Sequence, residues 1–186
     1  MNAGKWESVN AEAYDKKWRD MEAAGQSAHG EADFVQRFSP TSVLDAGCGT
    51  GRVAIELAKR GVDVAGVDLD EPFISQAQAK APELDFRHAD LSTVQLDRTF
   101  DVVVMAGNVM IFVIPGTEAQ VIANMAQHLV PGGHLISGFQ LRRSLDVDTY
   151  NQAAEAAGLT PVEHWRSWDV EPPTASSGYA VLVHRK

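Results

Sequence analysis

The chain has 186 residues, 45% of them hydrophobic and 22% charged, ordinary usage for one globular domain and unlike a disordered or fibrous chain. Sixteen Lys and Arg against 25 Asp and Glu leave a formal charge of −9, which argues against broad contact with a nucleic-acid backbone, a task carried by clustered cations. The single cysteine, Cys48, excludes an internal disulfide framework and a multi-cysteine zinc site.

From about 11 to 24 the pattern is helical, with Tyr14, Trp18 and Met21 sharing one face. Residues 25–30 interrupt it, and a short helix through Phe34, Val35 and Phe38 follows, stopped by Pro40. Residues 42–46 read as a short buried strand running into the loop Gly47-Cys48-Gly49-Thr50-Gly51. A helix over 52–60 (RVAIELAKR) is closed by Gly61. A strand over 62–67, a helix over 71–80 and a strand over 84–87 come next, and then the most apolar strand, 100–105 (FDVVVM). The spacing predicts a helix over 117–129, stopped by Pro131-Gly132-Gly133, a strand over 134–139 and a helix over 148–157 with Gly158 just beyond it. Two last strands, 162–170 and 178–184, flank EPPTASS, too short and proline-rich for a crossover helix, so they pair as an antiparallel hairpin. Apolar β-branched strands alternating with helices predict an α/β fold. The expected form is a Rossmann-like three-layer sandwich whose seven-stranded, mostly parallel sheet has its last strand antiparallel.

The glycine loop is the strongest local signal. A strand, a glycine turn and a helix N-terminus bring backbone close to a ligand at the carboxyl edge of a sheet. A phosphate-binding P-loop needs Lys-Ser/Thr after its last glycine, whereas Arg52 and Val53 follow Gly51. A nicotinamide-dinucleotide fingerprint needs a glycine where Arg52 stands. The pattern that fits is an acid, Asp45, two residues before glycines 47, 49 and 51.

That stretch resembles the first motif of the class I S-adenosylmethionine-dependent methyltransferases. Val64-Ala65-Gly66-Val67-Asp68 resembles the family's second-strand motif, His88-Ala89-Asp90-Leu91 its adenine-side segment, and Leu129-Val130-Pro131-Gly132-Gly133-His134-Leu135 the turn before its fifth strand. The four motifs stand in the family's order over nearly the whole chain.

The resemblance implies S-adenosylmethionine as cofactor, S-adenosylhomocysteine as product, and a site around Asp45, Gly47, Cys48, Gly49 and Gly51. Asp68, at the end of the second strand, accepts the ribose hydroxyls, or else caps the helix that follows. Asp90 accepts the adenine amine or makes an Asx turn. Leu69 and Leu91 sandwich the adenine or belong to the core. Asp45 attracts the cofactor's cationic end, or ties down loop N–H groups, or does both. Cys48 reads as a small residue in a crowded loop rather than a nucleophile, because no partner histidine is placed. Ala106 and Asn108, after the fourth strand, fall beside the transferable methyl, with Asn108 either the polar contact or a turn residue.

The six histidines have no metal-ligand spacing, so no metal is expected. The Asn/Asp-Pro-Pro-Tyr/Phe motif of base amino-methylases is missing after the fourth strand, so the expected acceptor is a small molecule and not nucleic acid. A nicotinamide-dependent oxidoreductase and a non-catalytic S-adenosylmethionine-binding protein are the alternatives. Residues 1–38 read as an N-terminal helical segment that either patches the flank of the sheet or closes over the site as a lid, with Tyr14 at the site and the hinge at 25–30. Residues 39–186 form the cofactor-binding domain. The opening MNAGKWESVN lacks the apolar core of a secretory signal and no apolar run reaches the roughly 20 residues of a membrane helix. A cytoplasmic monomer or homodimer, with no membrane partner, is therefore the expectation.

Overall fold

The computed structural model describes residues 29–142 and 144–186, with Asp15, Lys16, Asp20 and Ala23 of the N-terminal segment. Tyr14, Trp18 and Met21, and the hinge residues 25–28, lie outside the described residues.

The strands are β1 (Ser42–Ala46), β2 (Asp63–Asp68), β3 (Asp85–His88), β4 (Phe100–Met105), β5 (Leu129–Gln140), β6 (Thr160–Trp165) and β7 (Tyr179–Arg185). They form one sheet in the order β3-β2-β1-β4-β5-β7-β6. Pairing is parallel from β3 through β5, and β7 lies antiparallel to both of its neighbours. The α-helices from residue 29 onward are α1 (Gly30–Gln36), α2 (Arg52–Lys59), α3 (Glu71–Lys80), α4 (Glu118–Gln127) and α5 (Val147–Ala156).

Successive side chains of a strand point to opposite faces, and here each face has its own core. Val102 and Val104 pack with Phe34, Val53, Leu57 and Ile74 under α1, α2 and α3. Val103 and Met105 pack with Ile122, Met125, Tyr150 and Ala154 under α4 and α5. A strand covered on both faces has no solvent side on which to carry polar residues, which is why FDVVVM does not alternate. Asp70 caps α3 by accepting from the Phe73 N–H at 3.0 Å, and Asp146 caps α5 by accepting from Thr149 N–H at 2.8 Å.

Most strand boundaries fall within two residues of the sequence pattern, and two differ by about five. β5 begins at Leu129 and runs through Pro131-Gly132-Gly133, because the chain bulges there instead of stopping. Its register against β4 slips between Phe100 and Val102, where Leu129 and then His134 are the partners. β6 ends at Trp165 and does not reach 170. The Arg166 N–H donates to Glu171 O at 2.8 Å and Val170 sits at φ 62°, which turns the chain out of extended geometry.

Candidate functional site

The direction of strand addition reverses between β1 and β4. From β1 the chain proceeds outward to β2 and β3, whereas β4 lies on the other side of β1 and leads to β5. Loops at the carboxyl ends of two such strands diverge and leave a crevice, the general ligand position in an open α/β sheet. The loops after β1, β2, β3 and β4 all open at this edge. They carry residues 47–51, Leu69, Asp90, and Ala106 with Asn108.

The glycine loop is held from behind. Gly47 and Cys48 donate their N–H groups to Val67 O at 2.7 and 3.0 Å, Gly49 donates to Asp68 Oδ2 at 2.7 Å, and Gly51 donates to Cys48 O at 2.9 Å. Phosphate-binding loops aim such N–H groups at the ligand. Here these four are turned into the protein, where they are not free to meet a pyrophosphate.

All three loop glycines have positive φ, but for different spatial reasons. A Cβ at Gly47 would lie 2.4 Å from Val109 Cγ2, and one at Gly51 would lie 2.9 Å from Phe86 Cζ. Protein atoms already fill those places. At Gly49 the nearest atom would be Phe73 Cδ2 at 3.7 Å, so its Cα borders a space that a ligand can enter.

Asp68 stands beside that space. Its Oδ2 accepts from Gly49 and its Oδ1 from the Asp70 N–H at 2.9 Å. Burial raises its pKa above the ordinary carboxylate value, opposed by those N–H bonds. The helix cap after β2 is Asp70, so Asp68 is not committed to capping. A carboxylate accepts about four hydrogen bonds, so it keeps capacity for a diol.

Asp45 is buried, and its Oδ2 accepts from Ala54 N–H at 3.0 Å. It thus ties the first turn of α2 to the end of β1. Burial pushes its pKa up to about 7 although the Arg52 guanidinium pulls the other way. The Cys48 thiol is buried as well, and desolvation, reinforced by Asp45 and Asp68, drives its pKa well above the usual thiol value. That suits packing and disfavours a thiolate nucleophile.

The two leucines part company. Leu69 is 58% exposed on the rim, while Leu91 is 7% exposed and belongs to the core on the α4 and α5 face. Asp90 forms the Asx turn, its Oδ1 accepting from Ser92 N–H at 2.8 Å and Ser92 Oγ–H at 2.7 Å, and its Oδ2 is unengaged among the described residues. Ala106 is buried at the end of β4. Asn108 adopts φ 71° as a turn residue, donating its N–H to Gly138 O at 3.1 Å and accepting from Gln140 N–H through Oδ1 at 2.7 Å. Tyr14 lies outside the described residues.

Two contacts at the loop had no local sequence signal. Glu31 of α1 and Arg52 of α2 form a two-pronged ion pair at 2.6 and 2.9 Å, each side chain 11% exposed. Asp15 bonds to Thr50 and Lys80. Among the described residues no group of three His, Cys, Asp or Glu is placed to hold a metal ion, and no helix is long and apolar enough to cross a membrane.

Residues 43–133 match the protein-family model described as a methyltransferase domain. A solved structure, a TehB-like SAM-dependent methyltransferase from Corynebacterium glutamicum, superposes with TM-score 0.87 at 36% identity, over 95% of this chain and 97% of that one. The chain belongs to the S-adenosylmethionine-dependent methyltransferase family. Among curated methyltransferases it is 32% identical over 108 residues to the dTDP-3-amino-3,4,6-trideoxy-alpha-D-glucopyranose N,N-dimethyltransferase of Streptomyces venezuelae, covering 56% of this chain and 46% of that one. It is 26% identical over 143 residues to the ubiquinone biosynthesis O-methyltransferase of Rickettsia akari, covering 74% of this chain and 52% of that one. The chain thus spans about half the length of these curated relatives.

Proposed function

We propose that this methyltransferase moves a methyl group from S-adenosylmethionine to a nucleophile on a small molecule by in-line displacement. The observation that carries the reading is the Asp68 carboxylate, aimed by Gly49 and Asp70 N–H groups beside the open Cα of Gly49 at the switch crevice. The fit is chemical as well as steric. A carboxylate with spare acceptor capacity suits a ribose diol, and inward-turned loop N–H groups suit a cofactor without a pyrophosphate.

When bound, S-adenosylmethionine supplies an electrophilic methyl group on a sulfonium. Asp68 would hold the ribose, Leu69 would cover one face of the base, and the unengaged Oδ2 of Asp90 would accept from its exocyclic amine. Asp45, poised near neutrality, gains from ionising when positive charge approaches. Asn108 anchors its Oδ1 on Gln140, which orients its NH2 group as a donor on the acceptor side of the site. The protein's contribution is alignment and exclusion of water, and alignment alone supplies several of the roughly 7–11 kcal/mol available from well-oriented reactants.

A small-molecule acceptor is supported by relatives whose names place methylation on an amino sugar and in ubiquinone biosynthesis. The net charge of −9 further disfavours nucleic acid. Calorimetric titration with S-adenosylmethionine, S-adenosylhomocysteine and NADH tests the reading. Micromolar binding of the first two and none of the third is expected, and Asp68→Ala should weaken binding by about 1–3 kcal/mol. Wild-type affinity in that variant would remove the ribose assignment. Turnover against a panel of amino sugars and phenols separates an enzyme from a non-catalytic binding protein.

A further inference from the structure

The far side of the glycine loop carries a three-residue contact that joins distant parts of the chain. Thr50 Oγ donates to Asp15 Oδ1 at 2.5 Å, and Lys80 Nζ bonds to Asp15 Oδ2 at 2.5 Å. The same ammonium group donates to Thr50 O at 3.0 Å. Thr50 is fully buried and the Asp15 side chain is 12% exposed, so this carboxylate is largely withdrawn from water, with each oxygen held by its own donor. An exposed ion pair contributes little, whereas a desolvated carboxylate with charge-assisted donors makes strong and directional bonds.

Thr50 is a telling place for such bonds. It lies between Gly49 and Gly51, whose φ values of 55° and 82° belong to the left-handed region. Glycines reach that region readily but also leave it readily, so a turn built on them needs restraint from outside. Both polar groups of Thr50 named above, hydroxyl and carbonyl, are bound by residues outside the loop. The neighbouring Gly49 borders the open space and aims Asp68. Loop geometry at Gly49 is therefore linked by one peptide unit to Asp15.

We infer that Asp15 is a positioning residue for the cofactor. Through Thr50 and Lys80 it holds the Gly49–Gly51 turn in the conformation that binds, so affinity depends on a carboxylate 35 residues away in sequence. The inference rests on the S-adenosylmethionine reading of the crevice and adds a residue outside all four sequence motifs.

The test is calorimetric titration of the full chain with S-adenosylhomocysteine, alongside thermal unfolding of the unliganded protein. The set is wild type, Asp15→Asn, Thr50→Val, Thr50→Ser and the double variant Asp15→Asn/Thr50→Val. Asp15→Asn and Thr50→Val should each weaken binding about tenfold, on the scale of one lost charge-assisted hydrogen bond. Thr50→Ser, which keeps the hydroxyl, should hold affinity to within about twofold of wild type, where a purely steric role for Thr50 predicts the reverse order, because valine keeps the shape of threonine and serine does not. The double variant should lose less than the sum of the two single losses, because Thr50→Val removes the hydrogen bond that Asp15→Asn has already deprived of its charge. Unliganded melting temperatures should stay close to wild type. Wild-type affinity in Asp15→Asn, additive losses, or losses that only track lower thermal stability would each overturn the inference. Failure of the wild type itself to bind would overturn the cofactor reading on which it stands.

Discussion

Replacing Gly49 and Gly47 one at a time by alanine distinguishes a loop built around a ligand from one built only around itself. At Gly49 the backbone sits at φ 55°, and the left-handed conformation costs an alanine about 1–2 kcal/mol. Its Cβ would meet nothing closer than Phe73 Cδ2 at 3.7 Å, an ordinary contact. Against a typical stability of about 5–15 kcal/mol the protein stays folded, and the melting temperature drops by about 2–8 °C. Gly47→Ala carries the same conformational penalty at φ 82° and also drives a Cβ to within 2.4 Å of Val109 Cγ2. Overpacking of that kind adds about 1–3 kcal/mol, so this variant is the less stable of the two. Cofactor binding ranks the other way per unit of stability lost. The methyl of Gly49→Ala enters the space assigned to the ligand and should weaken S-adenosylhomocysteine by about 100-fold, near 2.7 kcal/mol. Gly49→Val should abolish binding in a folded protein. Thermal unfolding and titration on the same samples measure both quantities. Undiminished affinity in Gly49→Ala, or a Gly47→Ala protein more stable than Gly49→Ala, would refute the assignment of that space.

Asp45 makes stability depend on pH with a defined sign. Its folded pKa of about 7 lies above the ordinary 3.8, so the folded protein binds the proton more tightly than the unfolded chain, and stability falls as pH rises between those values. Asp45→Asn should abolish that part of the fall and be stabilising at pH 8 by up to about 4 kcal/mol. Melting curves of both proteins from pH 4 to 8 check this, and parallel profiles would contradict it. Removal of residues 1–28 should lower turnover at saturating cofactor by at least about tenfold, roughly 1.4 kcal/mol of barrier, if the N-terminal segment with Tyr14 closes over the acceptor. Equal turnover, once an acceptor is in hand, would remove the lid reading.

The sheet and the crevice were legible in the chain because their signals are local. The apolar β-branched run at β4, the strand–glycine–helix passage from Asp45 to Arg52, and the unhelical EPPTASS segment ahead of β7 each carry their own physics within a dozen residues. The strand ends were less legible. Pro131-Gly132-Gly133 has the composition of a stop, and only the neighbouring β4 backbone makes it a bulge inside β5.

Within the site the same division holds. Glycine at 47, 49 and 51 could be read as loop chemistry, but which of the three faces a ligand depends on whether Val109, Phe86 or open space lies across from it. Asp68 and Asp70 are two carboxylates at one strand end, equally suited by sequence to cap α3, and the cap goes to Asp70, whose carboxylate reaches the Phe73 N–H. Leu69 and Leu91 occupy matching places after β2 and β3, and one is solvent-exposed while the other is core. Asp15 could not be found at all by periodicity or motif. Its partners Thr50 and Lys80 come from other elements, and a hydrogen bond between residues so far apart in the chain exists only once the fold has brought them together.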